Sequence, residues 1–201
     1  MKRYLMEFIG TFFVAMAITL ISNPITIGMI LMAMIYIGGH VSGAHFNPAV
    51  SVACFVRNKL KLVDMGWYIL AQSLGACLAI WFFGLITNNP YSIEMVPGNY
   101  VVGPMALEGL LILVFCWVYL VMNFGRYKDT NIPGIVIGLT LMAIAAAGSL
   151  FNPAVAIAST ACSLIRDGAM GEMGSILVYI VGPVIGATAA SFLFGYFKSE
   201  A

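Results

Sequence analysis

The chain has 201 residues, of which 62% are apolar and only 8% are charged, against about 25% charged in ordinary soluble domains. So little charge cannot cover a soluble globule of this length, and so apolar a chain is not intrinsically disordered. The net charge of +1 provides no basic face for nucleic acid.

In chain order, apolar stretches alternate with short polar breaks. The basic start Met1–Arg3 runs into Tyr4–Ile21 without an A-x-A cleavage pattern, so this stretch reads as a first membrane span rather than a leader. Glu7 lies near its start. Ser22-Asn23-Pro24 is a tight turn, because Asn favours turns and Pro resists continuing a helix. Ile25–Gly39 is the second span. Asn47–Val56 is apolar but too short to cross a bilayer. Met65–Ile86 is the third span, and Thr87–Gly103, with its Asn, Pro and Gly residues, is an exposed loop. Pro104–Met122 is the fourth span, with Glu108 near its start. After the charged connector Asn123–Asn131, Ile132–Ala147 is the fifth span, Asn152–Leu164 a second short piece, and Met173–Phe197 the sixth span.

An even number of spans puts both termini on one side. Lys2, Arg3, Arg57, Lys59, Lys61, Arg126, Lys128 and Lys198 then share that side, and only Arg166 lies opposite. The bias predicts cytoplasmic termini, and the plasma membrane is the expected location. Cys54, Cys77, Cys116 and Cys162 stand isolated in apolar runs, with the spacing of neither a metal site nor a disulfide framework.

The chain repeats itself. Phe46-Asn47-Pro48-Ala49-Val50 recurs as Phe151-Asn152-Pro153-Ala154-Val155, 105 positions later. Each copy follows a stretch rich in Gly, Ala and Ser, and each half carries an intramembrane glutamate, Glu7 or Glu108. Three spans per half is an odd number, so the halves, approximately 1–100 and 101–201, enter the membrane from opposite sides. The expectation is one all-α membrane domain of six transmembrane helices and two re-entrant half-helices, built as an inverted repeat whose paired short segments mark the site.

Local chemistry says why Asn-Pro-Ala belongs there. Pro suits the first helical position and Asn the N-cap before it. Asn47 and Asn152 should therefore cap half-helices beginning at Pro48 and Pro153, while Ala49 and Ala154 let the tips approach. A helix of about 10 residues spans about 15 Å, half the apolar core. Two of them would meet near the midplane, each bringing a positive end of about half a charge. A neutral solute with acceptor oxygens suits such a place, and a cation does not. The carbonyls of Gly43, Ala44 and His45, and those of Gly148, Ser149 and Leu150, would form an acceptor track beside it. Glu7 and Glu108 are either proton-relay groups or braces for the N–H groups of the non-helical loops; bracing is the reading preferred here. His40 and His45 have no further ligand nearby, so no metal site is expected.

With these residues in hand, the sequence resembles the major intrinsic proteins, that is aquaporins and glycerol facilitators. Ser42–Ser51 looks like the family's first-loop signature, Glu7–Phe12 like its first-helix motif, Tyr68–Ala76 like its third, and Tyr179–Ala187 like its sixth. The likeness spans nearly the whole chain. It implies a pore in each subunit, a homotetramer in a lipid bilayer, and no cofactor. The family's second motif usually continues with an arginine that lines the outer constriction and repels cations; this chain has Val155. The matching second-helix position falls on Ile27. The fifth-helix position falls on Ala145 or, by a different alignment, Thr140, and Ser149 takes the loop position. The expected constriction is thus Ile27, Ala145, Ser149 and Val155, uncharged and largely apolar.

The expected function is a passive channel for water or small uncharged solutes. The alternatives are a glycerol-type channel with low water permeability and a proton-coupled transporter. An enzyme is not expected, since neither histidine has an acid, nucleophile or metal partner at catalytic spacing.

Overall fold

A computed structural model describes residues 1–93, 100–148, 150–168 and 173–198. Among these residues there are helices and connectors but no strand. The helices are α1 (Lys2–Met16), which continues as a π-helical turn over Ala17–Ile21, α2 (Pro24–Ser42), α3 (Pro48–Val56), α4 (Leu62–Thr87), α5 (Val102–Phe124), α6 (Pro133–Ala145), α7 (Pro153–Asp167) and α8 (Met173–Lys198). Five are long and apolar enough to cross a membrane: α1 with its π-turn, α2, α4, α5 and α8.

α6 is apolar but has only 13 residues, about 20 Å at 1.5 Å per residue. The expected fifth span, Ile132–Ala147, overran it. The helix gives way after Ala145 to a turn ending at Gly148, whose φ of +75° suits glycine. The half-helices also differ from expectation. α3 has 9 residues, but α7 has 15 and ends in Arg166 and Asp167. Its last two residues are charged and suit the polar membrane surface, so it is longer than a helix that stops halfway.

The solvent logic is that of a bilayer. Large apolar side chains such as Leu5, Met29, Leu70, Trp81, Leu110 and Phe192 face outwards, while Glu7, Gln72, Glu108, Ser51, Asn47 and Asn152 are buried. Lipid accepts the former without cost, and the latter need partners inside the protein.

Contacts fix the two ends. At one, Arg3 meets Asp64, Lys59 lies over the Phe124 ring, Arg57 over the Phe194 ring, and Lys198 reaches the Phe124 carbonyl. This gathers the start of α1, the end of α3, the start of α4 and the ends of α5 and α8. At the other end, Ser22, Ile27, Ser92, Ala145 and Tyr179 line one cavity. The closest-knit pairs are α1 with α4, α5 with α8, and α2 with α6. In the last pair, a Cβ on Gly28 would lie 2.5 Å from the Gly138 carbonyl oxygen, and one on Gly138 2.8 Å from that of Gly28. Only glycine permits backbones this close.

Candidate functional site

The site is built where the two half-helices begin. Asn47 and Asn152 have extended backbones, and each accepts the N–H two residues on through its own Oδ1, Ala49 at 2.8 Å and Ala154 at 3.1 Å. Pro48 and Pro153 follow at the first helical position, where their missing N–H costs nothing. Ala49 and Ala154 are fully buried. The same chemistry opens α2, where Asn23 caps Ile25 and Thr26 ahead of Pro24.

The other end of each carboxamide ties the halves together. Asn47 Nδ2 donates to the Phe151 carbonyl at 2.8 Å, and Asn152 Nδ2 donates to the Phe46 carbonyl at 3.0 Å. The reciprocity brings the helix tips face to face. It requires an uncommon backbone: Phe46 and Phe151 have φ of +49° and +44°. A bulky residue in this region is strained, at about 1–3 kcal/mol. The strain recurs at the same place in both copies, and in each the strained residue's carbonyl accepts the opposite asparagine. The Phe46 ring fills the space left by Gly10, where any Cβ would collide with it.

Each loop is held from behind by a carboxylate. Glu7 Oε1 accepts from Ser42 Oγ (2.6 Å) and the His45 N–H (3.0 Å), and Oε2 from the Phe46 N–H (2.7 Å) and Gln72 Nε2 (2.7 Å). Glu108 accepts the Leu150 N–H at 2.7 Å and the Phe151 N–H at 3.0 Å. Non-helical N–H groups at membrane depth are expensive to leave unpaired, and the two glutamates supply acceptors for two consecutive ones in each loop. The first loop has further support. Tyr68 donates to the Ser42 carbonyl and Tyr119 to that of Gly43, both at 2.7 Å. His45 Nδ1 lies 3.0 Å from Ser51 Oγ, which also receives Gln72 Nε2 at 3.1 Å. Gln72, Tyr68 and Tyr119 were not singled out from sequence as supporting residues. Their role depends on which helices pack behind the loop, and no local pattern encodes that.

Two cavities among these residues meet at Phe151. Where the half-helices meet, a pocket of about 10 Å³ is lined by Asn47, Asn152, His45, Phe46, Phe115 and Phe151, among others. That is about the room one water needs. Beyond Phe151, which borders both, a vestibule of about 320 Å³ opens at the end away from the termini. A larger groove of about 830 Å³, lined by side chains such as Leu74, Trp81, Leu85 and Ile165, runs between α4 and α7. It is lined by neither Asn47 nor Asn152, and it adjoins the vestibule at Tyr91, which lines both.

The residues expected at the constriction and in the acceptor track are distributed as follows. Ile27, Ala145, Gly148 and Leu150 line the vestibule. Thr140, the alternative to Ala145, does not line it; its hydroxyl donates to the Val136 carbonyl one turn back. Val155 is fully buried in α7 and lines none of these cavities. Ser149 lies outside the described residues. In the track, the Gly43 carbonyl already accepts Tyr119, and Ala44 is buried with φ of +54°. The Leu150 carbonyl accepts the Asn152 N–H at 2.6 Å. His40 is exposed. Arg166 bonds Asp167 (Nε to Oδ1, 2.8 Å), which holds that carboxyl below its ordinary range. Among the described residues, no group of His, Cys, Asp and Glu is arranged to hold a metal ion.

Comparison with known proteins shows the family and the fold. The family model described as major intrinsic protein matches residues 1–194. Aquaporin NIP1-1 of Zea mays is 30% identical over 98% of this chain and 75% of its own length. Glycerol uptake facilitator protein-like 6 of Lactiplantibacillus plantarum is 28% identical over the whole of both chains. The X-ray structure of the aquaglyceroporin from Plasmodium falciparum superposes with a TM-score of 0.71 at 22% identity, covering 100% of this chain and 96% of that one. This last likeness concerns the fold.

Proposed function

The chain belongs to the major intrinsic protein family and is a passive membrane channel for water or small uncharged solutes, and from that premise we propose how its residues carry the flow. Solute enters the vestibule, passes Phe151 and meets Asn47 and Asn152 at the midplane. Each carboxamide nitrogen has two N–H donors. One is committed across the two halves, and the other serves the solute oxygen. The helix ends at Pro48 and Pro153 add about half a positive charge each, so a cation is opposed where a neutral dipole is held.

The observation that carries this reading is the reciprocal bonding of Asn47 and Asn152, because it sets two helix N-termini against one small pocket. In this proposal Ile27 and Ala145, together with Ser149, form the outer constriction without a fixed charge, while Val155, fully buried and lining no cavity described above, is not part of it. The one-water pocket supports water as a solute. The vestibule, with room for about ten waters at 30 Å³ each, supports admission of larger neutral solutes as well. Against proton coupling stands the engagement of Glu7 with four donors.

We also place both termini in the cytoplasm, on the strength of the basic cluster at one end, and the protein in the plasma membrane. The whole chain is then one channel domain of two inverted repeats. A homotetramer, with a pore in each subunit, fits the apolar outer faces of α1, α2 and α5.

The test is osmotic shrinkage of liposomes containing the purified protein. The rate should exceed that of protein-free liposomes with a low activation energy, for an impermeant osmolyte or, by solute re-entry, for glycerol. Rates equal to protein-free liposomes in both cases would refute the reading.

A further inference from the structure

The vestibule has a polar side that the family pattern does not supply. Where that pattern has an arginine, this chain has Val155, which is fully buried and does not reach the cavity. Among the described residues no charged side chain lines the vestibule. The lining residues that carry side-chain hydroxyls are Tyr91, Ser92, Ser22 and Tyr179, and of these Ser22 Oγ donates to the Ile18 carbonyl at 2.8 Å. The two tyrosines arrive from different places: Tyr91 from the connector after α4, Tyr179 from the start of α8.

Tyr91 is held in position. Its ring meets Phe83 edge-on, with centroids 5.4 Å apart at 76°. Two residues on, the Ile93 N–H donates to Ser159 Oγ on α7 at 3.3 Å, which fastens this connector over the outer mouth. Tyr91 also lines both the vestibule and the outer groove.

We propose that Tyr91 and Tyr179 are the specificity-determining residues of the outer filter, and that they select neutral solutes by their hydroxyl groups instead of rejecting ions by charge. A phenol both donates and accepts. It can match a solute hydroxyl in either role, where a guanidinium can only donate. A carbonyl or ether solute finds a donor there, and a polyol finds both partners. Removing the phenolic oxygen while keeping the ring leaves the cavity's shape intact and takes away this match. The inference rests on the channel reading above and extends it to a particular pair of side chains.

The experiment compares glycerol with 1,2-propanediol, which has a similar shape and one hydroxyl fewer, in liposomes containing wild type, Tyr91→Phe, Tyr179→Phe or the double variant. Water flux is measured in the same preparations. The glycerol-to-propanediol flux ratio should fall about fivefold in the double variant, the factor carried by one net neutral hydrogen bond, with water flux within about twofold of wild type. A purely structural role for the tyrosines would lower all fluxes together and leave the ratio unchanged, and that result would overturn the proposal. Wild type that conducts water but excludes both polyols would also overturn it. Wild type that conducts nothing above protein-free liposomes would instead refute the channel reading, a failure distinguishable from the first two.

Discussion

Replacing Glu7 by Gln separates a brace from a proton carrier. The carboxylate accepts four hydrogen bonds, two on each oxygen. A carboxamide keeps one oxygen and turns the other into a donor. If the nitrogen takes the Oε1 place, Ser42 can rotate its hydroxyl to accept, but the His45 N–H then faces another N–H. If it takes the Oε2 place, both Phe46 and Gln72 are opposed. The milder arrangement leaves one buried N–H unpaired, at about 1–3 kcal/mol. It also turns the surviving charge-assisted bonds into neutral ones, each weaker by about 1 kcal/mol. Relief from burying a charge offsets part of this. A net loss of about 3 kcal/mol follows, which for a chain of this size lowers the thermal midpoint by about 6–12 °C. Thermal unfolding in detergent, monitored by circular dichroism, measures the shift, and liposome shrinkage measures flux in the same preparation. Flux and midpoint should fall together, with no dependence of solute uptake on a proton gradient in either protein. A Gln variant with unchanged midpoint, in a protein whose wild-type form accumulates solute against its gradient, would refute the bracing argument and restore the proton-relay role.

Other perturbations test the remaining parts of the site. Asn47→Ala and Asn152→Ala each remove a cap worth about 1 kcal/mol and a cross-tie of about 1 kcal/mol. Each should lower the midpoint in detergent by about 4–8 °C, and the double variant by less than the sum, because the ties share one interface. Gly28→Val should separate α2 from α6 and cost about 1–3 kcal/mol by overpacking, measured by the same melt, whereas Gly66→Ala, in open space on α4, should be neutral or slightly stabilising. Val155→Arg forces a long charged side chain into a fully buried position that lines no cavity, and should lower the same midpoint; a variant with an unchanged melt and glycerol flux reduced relative to water would instead place position 155 at the constriction.

Much of the architecture was legible because it depends on local chemistry. An Asn followed by a Pro is a capped helix start wherever it occurs, and two such starts at matching places in two apolar halves need little more to be placed tip to tip. Glu7 and Glu108 were visible for a related reason: a carboxylate inside a membrane must face donors, and the non-helical loops are where donors are free. The rest depends on tertiary placement. The brief α6 looked longer in sequence because Ala146 and Ala147 are good helix formers, and only the left-handed Gly148 ends the run. The left-handed Phe46 and Phe151 could not be foreseen, since nothing about phenylalanine favours that region; they exist because the opposite asparagine needs a carbonyl. Tyr91 was hidden in a polar loop whose path over the vestibule is set by a bond to α7, 66 residues away.

The brevity of α6 bears on transport rate. A bilayer core about 30 Å thick is met on this flank by a helix of about 20 Å, and the vestibule opens beside its end at Ala145. Bulk solvent therefore descends further from that face than it would beside a full-length helix. The stretch in which molecules must queue in single file is shortened accordingly. On the proposed path fewer of them have to advance in step for one to leave, which would make the narrow neck at Asn47 and Asn152 the step that limits throughput.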